Sequence, residues 1–361
     1  MSLQDDVLAA GARIGPHVRV TPVEDSPTLG ETGRGRAFLK LESLQITGSF
    51  KLRGAMNKLL SLTAREKQRG VVTASSGNHG TAVACGLKTI GCRGVIFLPE
   101  NASPVKMANI RSFGAEIRTY GRDSGVTEIH ARRYAEERGL VYVSPYNDPV
   151  IVAGQGTIGA ELARQIDRID VLYVALGGGG LVSGIAGYLK SAGGGAGGLE
   201  VVACSPENSA VMHHSIRAGR ILEMESKPTL SDGTAGAVEP GAITFDLCKR
   251  YVDRYLLVSE REIAEAMRLV IEKHHTLIEG AAGVAVAGYL KDRERAPGLS
   301  AAIVLCGANI ALERLREVLA GGKPSSGRPA RGGPGRGRSV SGPARRSPRR
   351  PARRRRARGR R

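Results

Sequence analysis

Short apolar segments that alternate with helix-like segments restrict the fold of this chain more than any other feature. Four such segments follow one another, at residues 71–74, 94–98, 116–120 and 141–144. Segments with helical periodicity separate them, at residues 80–87, 104–113 and 127–138. Strands of this length that alternate with helices of about ten residues form parallel sheets. This part of the chain is therefore predicted to be a small parallel α/β domain.

The same alternation continues on both sides of that domain. Residues 171–176 (VLYVAL) form a continuous apolar run, as expected for a strand buried on both faces. Other strands are predicted at residues 37–42, 199–204 and 301–306, and other helices at residues 4–14, 155–167, 281–290, 308–319 and from Leu181 onward. We expect a doubly wound α/β fold in which a small domain, residues 70–147, is inserted in a larger one, residues 1–69 and 148–320.

Local signals mark several of the helix starts and turns. Thr63 with Glu66, and Ser259 with Glu262, have the spacing of capping boxes, in which each side chain bonds a free backbone N–H at a helix start. Residues 30–35 are rich in glycine and are predicted to form a loop.

The positive charge of the chain is concentrated after residue 320. The chain has 53 Lys and Arg against 34 Asp and Glu, and residues 321–361 hold 16 of the bases and none of the acids. The other residues are nearly balanced, with 37 bases against 34 acids. Gly, Pro, Ser, Ala and Arg cannot bury a core, so we expect this tail to be disordered. Blocks of like charge often bind other molecules, which makes weak nucleic-acid contact by the tail one hypothesis.

Cysteine usage and the lack of long apolar runs favour a cytoplasmic protein. The 5 cysteines are scattered without a CxxC pair, so they predict neither a disulfide framework nor a zinc site. Asp5 and Asp6 stand where a signal peptide needs bases. No run approaches the roughly 18 apolar residues of a membrane span. We therefore expect no membrane contact.

Lys51 is the first candidate for chemistry. It lies in the sequence TGSFKLRGA, where Gly48 allows a tight backbone and Ser49 is predicted to cap the helix that follows. A lysine at a helix start lies beside free backbone N–H groups and the positive end of the helix dipole. These surroundings favour a neutral, nucleophilic amine. Most lysines at such positions are solvated, so the motif needs support from elsewhere.

The second candidate is the turn SSGNHG, which directly follows the predicted strand at residues 71–74. Backbone N–H groups at a helix start suit a carboxylate, and Asn78 adds a neutral donor. Taken alone, an ordinary polar turn explains the segment equally well.

The third candidate is the run of four glycines after VLYVAL, Gly177 to Gly180. Each glycine costs about 0.5–1 kcal/mol in backbone entropy, and a plain turn seldom needs four. Successive N–H groups at a helix start can wrap a phosphate. A dinucleotide fingerprint would need a third glycine where Val182 or Ser183 stands, and no Walker lysine follows. This argues against a dinucleotide oxidoreductase.

The fourth candidate, CGAN, ends the last predicted strand. A lone cysteine such as Cys306 is usually a small core residue. Combined with a reactive lysine, an anion-binding turn and a phosphate cradle, however, a small neutral group at a strand end suits one cofactor, pyridoxal 5′-phosphate. That molecule has an aldehyde for Lys51, a ring hydroxyl for Asn78, a phosphate for the glycines and a ring nitrogen for Cys306.

The chain also resembles a known family, the fold-type II pyridoxal-phosphate enzymes, in their serine/threonine dehydratase and serine racemase branch. The motifs that carry the resemblance occur in family order across nearly all of residues 1–320. They are TGSFKLRGA, SSGNHG, AGQGTIGAEL, GGGGLVSGIA, TLSDGTAG, EGAAGVAVA and CGAN. The resemblance implies the two-domain fold of the tryptophan synthase β-like enzymes, and commonly a homo-oligomer, a dimer or tetramer.

The resemblance also implies roles for individual residues. Lys51 would bind the cofactor covalently, Phe50 would pack against its ring, and Cys306 would face its nitrogen. Glu279 would lie close to the cofactor and substrate. The phosphate would be bound by Gly177, Gly178, Gly179, Gly180 and Leu181. The substrate carboxylate would be bound by the turn that holds Ser75, Ser76, Gly77, Asn78 and His79.

The implied reaction is the dehydration and deamination of L-serine, L-threonine or a related β-hydroxy amino acid. Lys51 would remove the Cα proton, and the products would be a 2-oxo acid and ammonia. A thiol with a pKa of about 8.5 is mostly neutral at pH 7, and a neutral group facing the ring nitrogen suits elimination over transamination.

Serine racemase activity on the same scaffold is the nearest alternative, because Ser76 occupies a position that is commonly Ala in plain threonine dehydratases. Ser76 would then be a second catalytic residue, on the face of the substrate opposite Lys51. A nucleic-acid-binding protein is the alternative of a different class. The acidic metal ligands of animal-type serine racemases are not matched at residues 205–211, so no metal site is expected.

Overall fold

Two sheets organise the part of the chain that the computed structural model describes, which is residues 2–33, 35–191, 198–295 and 298–321. Both belong to one compact unit. The basic tail that was predicted to be disordered lies outside the described residues. Within them, no helix is long and apolar enough to cross a bilayer.

The helices and strands follow each other in the alternating order that the sequence predicts. The helices are α1 Leu3–Ile14, α2 Pro27–Gly33, α3 Lys51–Ser61, α4 Ala64–Arg69, α5 Asn78–Ile90, α6 Pro104–Arg111, α7 Ser124–Arg138, α8 Pro149–Gln165, α9 Gly180–Ser191, α10 Val211–Ala218, α11 Ile243–Tyr251, α12 Glu260–His274, α13 Gly280–Asp292 and α14 Leu312–Leu319. The strands are β1 Val23–Asp25, β2 Arg36–Lys40, β3 Val71–Ala74, β4 Gly94–Leu98, β5 Glu116–Thr119, β6 Val141–Tyr142, β7 Val171–Ala175, β8 Glu200–Pro206, β9 Arg254–Val258 and β10 Ser300–Val304.

The larger sheet has six strands in the order β1-β2-β10-β7-β8-β9. Only the edge strand β1 runs antiparallel to its neighbour among these pairs. All five residues of β7 are buried, as the continuous apolar run predicts. Strands from both ends of the chain therefore meet in one sheet, and β10 lies between β2 and β7.

The smaller sheet has four parallel strands in the order β5-β4-β3-β6. All four come between β2 and β7 along the chain, so this sheet interrupts the larger one in sequence. The predicted α/β fold class is confirmed. The division into domains at residues 70 and 147 stays a prediction.

Glycines allow the helices beside the larger sheet to approach closely. A Cβ on Gly154 of α8 would lie 2.7 Å from the Cα of Gly54 in α3, and one on Gly156 would lie 2.9 Å from the carbonyl oxygen of Gly184 in α9. The first contact joins the helix that begins at Lys51 to α8, which fixes the position of that lysine against the core.

Several sequence-based expectations were wrong in detail. The glycine-rich residues 30–35 were predicted as a loop, but residues up to Gly33 belong to α2. The last helix begins at Leu312 rather than at residue 308, because Ala311 is extended at its N-cap. Helices α10 and α11 and strand β9 were not predicted. Both capping boxes are present, at Thr63 and Ser259.

Candidate active site

A cleft of about 1130 Å³ opens where strands β3, β7 and β10 end. Ligands of open α/β sheets bind at the carboxyl ends of the strands. The residues singled out from the sequence all line this cleft: Phe50, Lys51, Ser75, Ser76, Gly77, Asn78, His79, Gly177, Gly178, Gly179, Gly180, Leu181, Glu279 and Cys306. Residues far apart in the sequence are thus brought to one place.

Lys51 is the first residue of α3, and its side chain extends into the cleft. Its Nζ donates a hydrogen bond to the carbonyl oxygen of Pro145 at 2.8 Å. Burial lowers the pKa of Lys51 to about 8, although the charge of the Glu279 carboxylate acts in the opposite direction. Roughly a tenth of the amine is then neutral at pH 7. The amine is therefore much closer to its nucleophilic form than that of an exposed lysine.

The predicted cap of this helix was wrong. Phe50 is the N-cap residue, and no side-chain hydrogen bond caps the helix. Ser49 instead pairs with Gly307 in an isolated β-bridge, and the backbone N–H of Phe50 donates to the carbonyl oxygen of Cys306 at 3.0 Å. The loop before Lys51 is therefore held by the residues that follow β10. The ring of Phe50 lies 5.1 Å from the Nζ of Lys51.

The turn that follows β3 has the compact backbone that SSGNHG predicts. The Ser75 hydroxyl accepts a hydrogen bond from the backbone N–H of Gly77 at 3.2 Å. A Cβ on Gly80 would lie 2.0 Å from the carbonyl oxygen of Ser75, so only glycine fits there. Ser76 is half-buried at the cleft wall. The start of α5 at Asn78 directs its free N–H groups toward this turn.

His79 is held as a neutral ring. Burial, together with the charge of Lys51, lowers the pKa of His79 to about 3. Its Nε2 lies 3.0 Å from the carbonyl oxygen of Val143, and a carbonyl only accepts, so Nε2 carries the hydrogen. The ring therefore positions the turn against the end of the smaller sheet.

The four glycines form a cradle whose surroundings leave no room for side chains. A Cβ on Gly177 would lie 2.9 Å from the Cα of Thr234, and one on Gly178 would lie 2.5 Å from the ring of Tyr146. Gly179 has a φ of +87°, which other residues rarely adopt. Helix α9 begins at Gly180, so its free N–H groups border the cradle. The cradle has the backbone donors that a phosphate needs.

Glu279 is a buried carboxylate that contacts Asn78. The Nδ2 of Asn78 lies 2.8 Å from one carboxylate oxygen and 3.0 Å from the other. Burial raises the pKa of Glu279 to about 7, against the hydrogen bond from Asn78, and the charge of Asp232 raises it further. A Cβ on Gly307 would lie 2.7 Å from the carboxylate, so the glycine of CGAN makes room for it.

Cys306 presents a neutral thiol to the cleft. Burial raises its pKa well above the ordinary value, and the nearby Glu279 carboxylate raises it further. The thiol therefore carries no charge at neutral pH, as expected for a neutral group that faces a ring nitrogen.

Several residues of the cleft were missed by the sequence interpretation. Pro145 and Tyr146 follow β6 and contact Lys51 and the glycine cradle, but neither belongs to a motif. Arg132 forms an ion pair with Glu239 at 2.6 Å across the cleft, and this pair carries no local sequence signal. Asn309 was singled out only as the last letter of CGAN.

The chemical groups that line the cleft fit pyridoxal phosphate. A lysine with a lowered pKa, a cradle that excludes every side chain, an amide donor and a neutral thiol surround one cleft. The chain belongs to the pyridoxal-phosphate dependent enzyme family, whose model matches residues 14–307. The predicted family and cofactor are thus confirmed.

Individual relatives within this enzyme family act on hydroxy amino acids by name. The chain is 38% identical to an L-threonine ammonia-lyase from Thermotoga maritima over 88% of this chain and 78% of that protein. It is similar in structure to threonine deaminase isoform 2 from Solanum lycopersicum, with a TM-score of 0.84, 30% identity, and coverage of 88% and 92% of the two chains. A maize serine racemase gives a TM-score of 0.82, 30% identity, and coverage of 88% and 97%.

Proposed function

We propose that this chain is a pyridoxal-phosphate-dependent ammonia-lyase. Its substrates are L-serine, L-threonine or a related β-hydroxy amino acid, and its products are a 2-oxo acid and ammonia. The observation that carries the proposal is the Lys51 amine, which has a lowered pKa and lies in one cleft with a glycine cradle and the neutral Cys306 thiol. The relatives named as threonine ammonia-lyase and threonine deaminase support the same reaction.

The cofactor would be held by groups from four parts of the fold. Lys51 would bind its aldehyde, Asn78 would donate to its ring oxygen, and Cys306 would face its ring nitrogen. Its phosphate would be bound by the backbone of Gly177, Gly178, Gly179, Gly180 and Leu181. When bound, the cofactor supplies an electron sink that stabilises negative charge at the substrate Cα.

Lys51 would move the proton. The Nζ of Lys51 would accept the Cα proton of the bound substrate, and the carbonyl oxygen of Pro145 is placed to hold the amine in position. The lowered pKa favours the neutral amine, which is the form that accepts a proton. Loss of the β-hydroxyl as water, followed by addition of water and release of ammonia, balances the conversion of serine to pyruvate.

The turn at the start of α5 would bind the substrate carboxylate. Ser75 and Gly77 keep the turn compact, and the free N–H groups of the helix face an anion there. His79 is neutral and bonded to Val143, so it contributes shape and not charge. The substrate carboxylate would thus be bound by neutral groups, and Lys51 would be the group that takes part in the reaction.

A serine racemase side activity is the second candidate, and Ser76 is the observation that favours it. Its side chain is half-buried at the wall of the same cleft as Lys51. Racemisation needs acid/base groups on two faces of the substrate, and Ser76 is the hydroxyl that would serve the second face. The structural likeness to a maize serine racemase supports this candidate.

The test is an assay of the holoenzyme with L-serine, L-threonine and L-alanine. We expect equal amounts of ammonia and 2-oxo acid from the first two and none from L-alanine, which has no β-hydroxyl to lose. D-serine without pyruvate from L-serine would favour a racemase instead. No reaction with either hydroxy amino acid would contradict the proposal.

We extend the proposal to a cytoplasmic homo-oligomer. The five cysteines are free thiols, as expected in a reducing compartment. Val20 and Leu44 are exposed apolar residues on two segments joined by a hydrogen bond from the Arg19 side chain to the carbonyl oxygen of Leu44, and a second copy would cover them. Sedimentation of the purified protein tests this, and a monomer at micromolar concentration would contradict it.

The basic tail is proposed to contribute only weak, salt-dependent contact with nucleic acid. Clustered arginines neutralise phosphates, and such binding falls steeply with salt. Removal of residues 322–361 should abolish any nucleic-acid affinity and leave turnover unchanged. Loss of turnover on truncation would contradict the proposal that the tail takes no part in catalysis.

A further inference from the structure

Asn309 connects three parts of the cleft. Its Nδ2 donates to the carbonyl oxygen of Thr47 at 2.8 Å and to the Oδ1 of Asn78 at 2.7 Å. Its backbone N–H donates to the Glu279 carboxylate at 3.1 Å. One residue thus contacts the loop before Lys51, the Asn78 side chain and the buried carboxylate.

These contacts determine which way the Asn78 amide points. The carbonyl oxygen of Thr47 only accepts hydrogen bonds, so the Asn309 atom that faces it is the nitrogen. The second hydrogen of that nitrogen then points to Asn78, whose facing atom is an oxygen. The Asn78 nitrogen consequently lies against Glu279, which accepts. If the Asn78 amide were reversed, its oxygen would face the Glu279 carboxylate and its nitrogen would face the nitrogen of Asn309.

The orientation leaves a donor for the cofactor. The Asn78 amide nitrogen carries two hydrogens. One of them can point between the two Glu279 oxygens, which lie 2.8 and 3.0 Å from the nitrogen, while the other remains available. We propose that Asn309 is a positioning residue that holds the Asn78 amide so that a donor, rather than an acceptor, meets the ring oxygen of the cofactor. The inference rests on the role proposed above for Asn78.

The surrounding backbone is built to hold Asn309. Gly48 has a φ of +70°, and a Cβ there would lie 2.7 Å from the Oδ1 of Asn309. The backbone N–H of Ala308 donates to the carbonyl oxygen of Gly48 at 2.9 Å. Asn309 is therefore fixed against the lysine loop by both its side chain and the preceding residue.

The test compares two cofactors in the full-length holoenzyme. One is pyridoxal phosphate, and the other is the analogue in which hydrogen replaces the ring hydroxyl. Holoenzyme prepared with either is dialysed against decreasing cofactor concentrations, and the bound fraction is read from its absorbance. This readout does not depend on turnover.

We expect Asn309→Ala to weaken binding of pyridoxal phosphate about tenfold, the effect of one hydrogen bond to a charged oxygen, and to leave the analogue unaffected. Asn78→Ala should do the same, and the double variant should lose no more than either single one. If Asn309→Ala yields no folded protein, Asn309→Asp keeps the shape of the side chain and removes its donors, and it should show the same loss.

Asn57→Ala is the matched control. Asn57 also joins a backbone carbonyl, that of Val150, to another side chain, that of Arg13, but it does not line the cleft. It should weaken both cofactors equally or neither. Equal weakening of both cofactors by Asn309→Ala, or additive losses in the double variant, would overturn the inference.

An Asn78→Ala variant that does not discriminate between the two cofactors would refute the role of Asn78 and this inference with it. The ammonia-lyase proposal would still be judged by its own product assay, so the two failures are distinguishable.

Discussion

Two groups of charged residues near the start of α3 differ in how their charges are neutralised. The first group, the Lys40 cluster, consists of Lys40, Arg53, Glu42 and Glu161. It is buried and balanced: Lys40 bonds Glu161, and Arg53 bonds both carboxylates. The second group is the pair of Lys51 and Glu279 in the cleft, where the lysine amine donates its hydrogen bond to the carbonyl oxygen of Pro145. Arg53 follows Lys51 by two residues, so one helix carries both groups.

The pKa directions separate the two carboxylates. Burial alone would raise the pKa of both, but Arg53 and Lys40 outweigh burial at Glu161 and lower its pKa. Burial prevails at Glu279, whose pKa rises to about 7. The ion pairs of the Lys40 cluster hold the helix in place. Within the described part of the chain, Lys51 and Glu279 lack such pairing, and their pKa values lie near neutral pH, where both groups can exchange protons. Burial lowers the pKa of Lys40 as well, so its ion pair with Glu161, and not its pKa, indicates that Lys40 supports the fold.

The largest expected effect is the loss of turnover in Lys51→Ala. Removal of the amine that binds the cofactor and moves the proton should lower kcat at least about 10³-fold. The free energy of unfolding should change little, because the Lys51 amine bonds a backbone carbonyl and no carboxylate of the described residues. Steady-state assays and urea unfolding of the same preparation check both parts. Retained turnover would remove Lys51 from the chemistry.

Glu161→Ala is expected to have the opposite profile. It leaves two buried cations with one carboxylate, so the free energy of unfolding should fall by about 3–5 kcal/mol. The turnover of the molecules that remain folded should stay within about tenfold of wild type. Urea unfolding, with activity normalised to the folded fraction, measures this. Lost turnover without a lower free energy of unfolding would contradict the structural role assigned to the Lys40 cluster.

A pH series on the cofactor-free chain tests the carboxylates. Folding raises the pKa of Glu279 from 4.5 to about 7, so its protonated form is favoured in the folded state. That contribution is complete below pH 4.5 and is lost as the pH rises through about 7, a change of about 3 kcal/mol at most. Glu279→Gln should flatten the stability profile between these values.

Glu161→Gln is the control for that series, because folding shifts the pKa of Glu161 in the direction opposite to that of Glu279. Folding lowers the pKa of Glu161, so its contribution is lost as the pH falls. The variant should therefore flatten the acid side of the profile only. Identical profiles for the two variants would contradict the assignment of a raised pKa to one and a lowered pKa to the other.

The smallest effect is expected from Ser76→Ala. D-serine formed from L-serine should fall at least about tenfold, because the second face of the substrate loses its hydroxyl, while pyruvate formation stays within about threefold. Ser103→Ala, which also lines the cleft, serves as the control. Equal D-serine from both variants would show that Ser76 is not the acid/base group of the second face.

The sequence allowed prediction of features that depend on neighbouring residues. Strands β3 and β4 have the predicted bounds. The motifs that follow β7 and β10 meet because parallel strands of one sheet end at one edge, and the turn after β3 of the smaller sheet lines the same cleft. The family and the cofactor followed from these motifs together.

Features that depend on distant pairs could not be predicted in this way. The bonds from Arg53 to Glu161, and from Asn309 to Asn78, join residues separated by more than a hundred positions. Lys40 and Lys51 both occur near apolar residues in the sequence, and only the folded chain shows that one of them meets a carboxylate. The cap assigned to Ser49 was wrong for the same reason, since its distant partner Gly307 determines its position.

The most direct measurement asks which lysine carries the cofactor. The holoenzyme is reduced with borohydride, which fixes the cofactor to its lysine, and the labelled peptide is then identified by mass spectrometry. We expect the label on Lys51 and none on Lys40 or on Lys106, a second lysine that lines the cleft, and prior incubation with L-serine should reduce the label. A label on any other lysine, or on none, would contradict the assignment on which the proposed function rests.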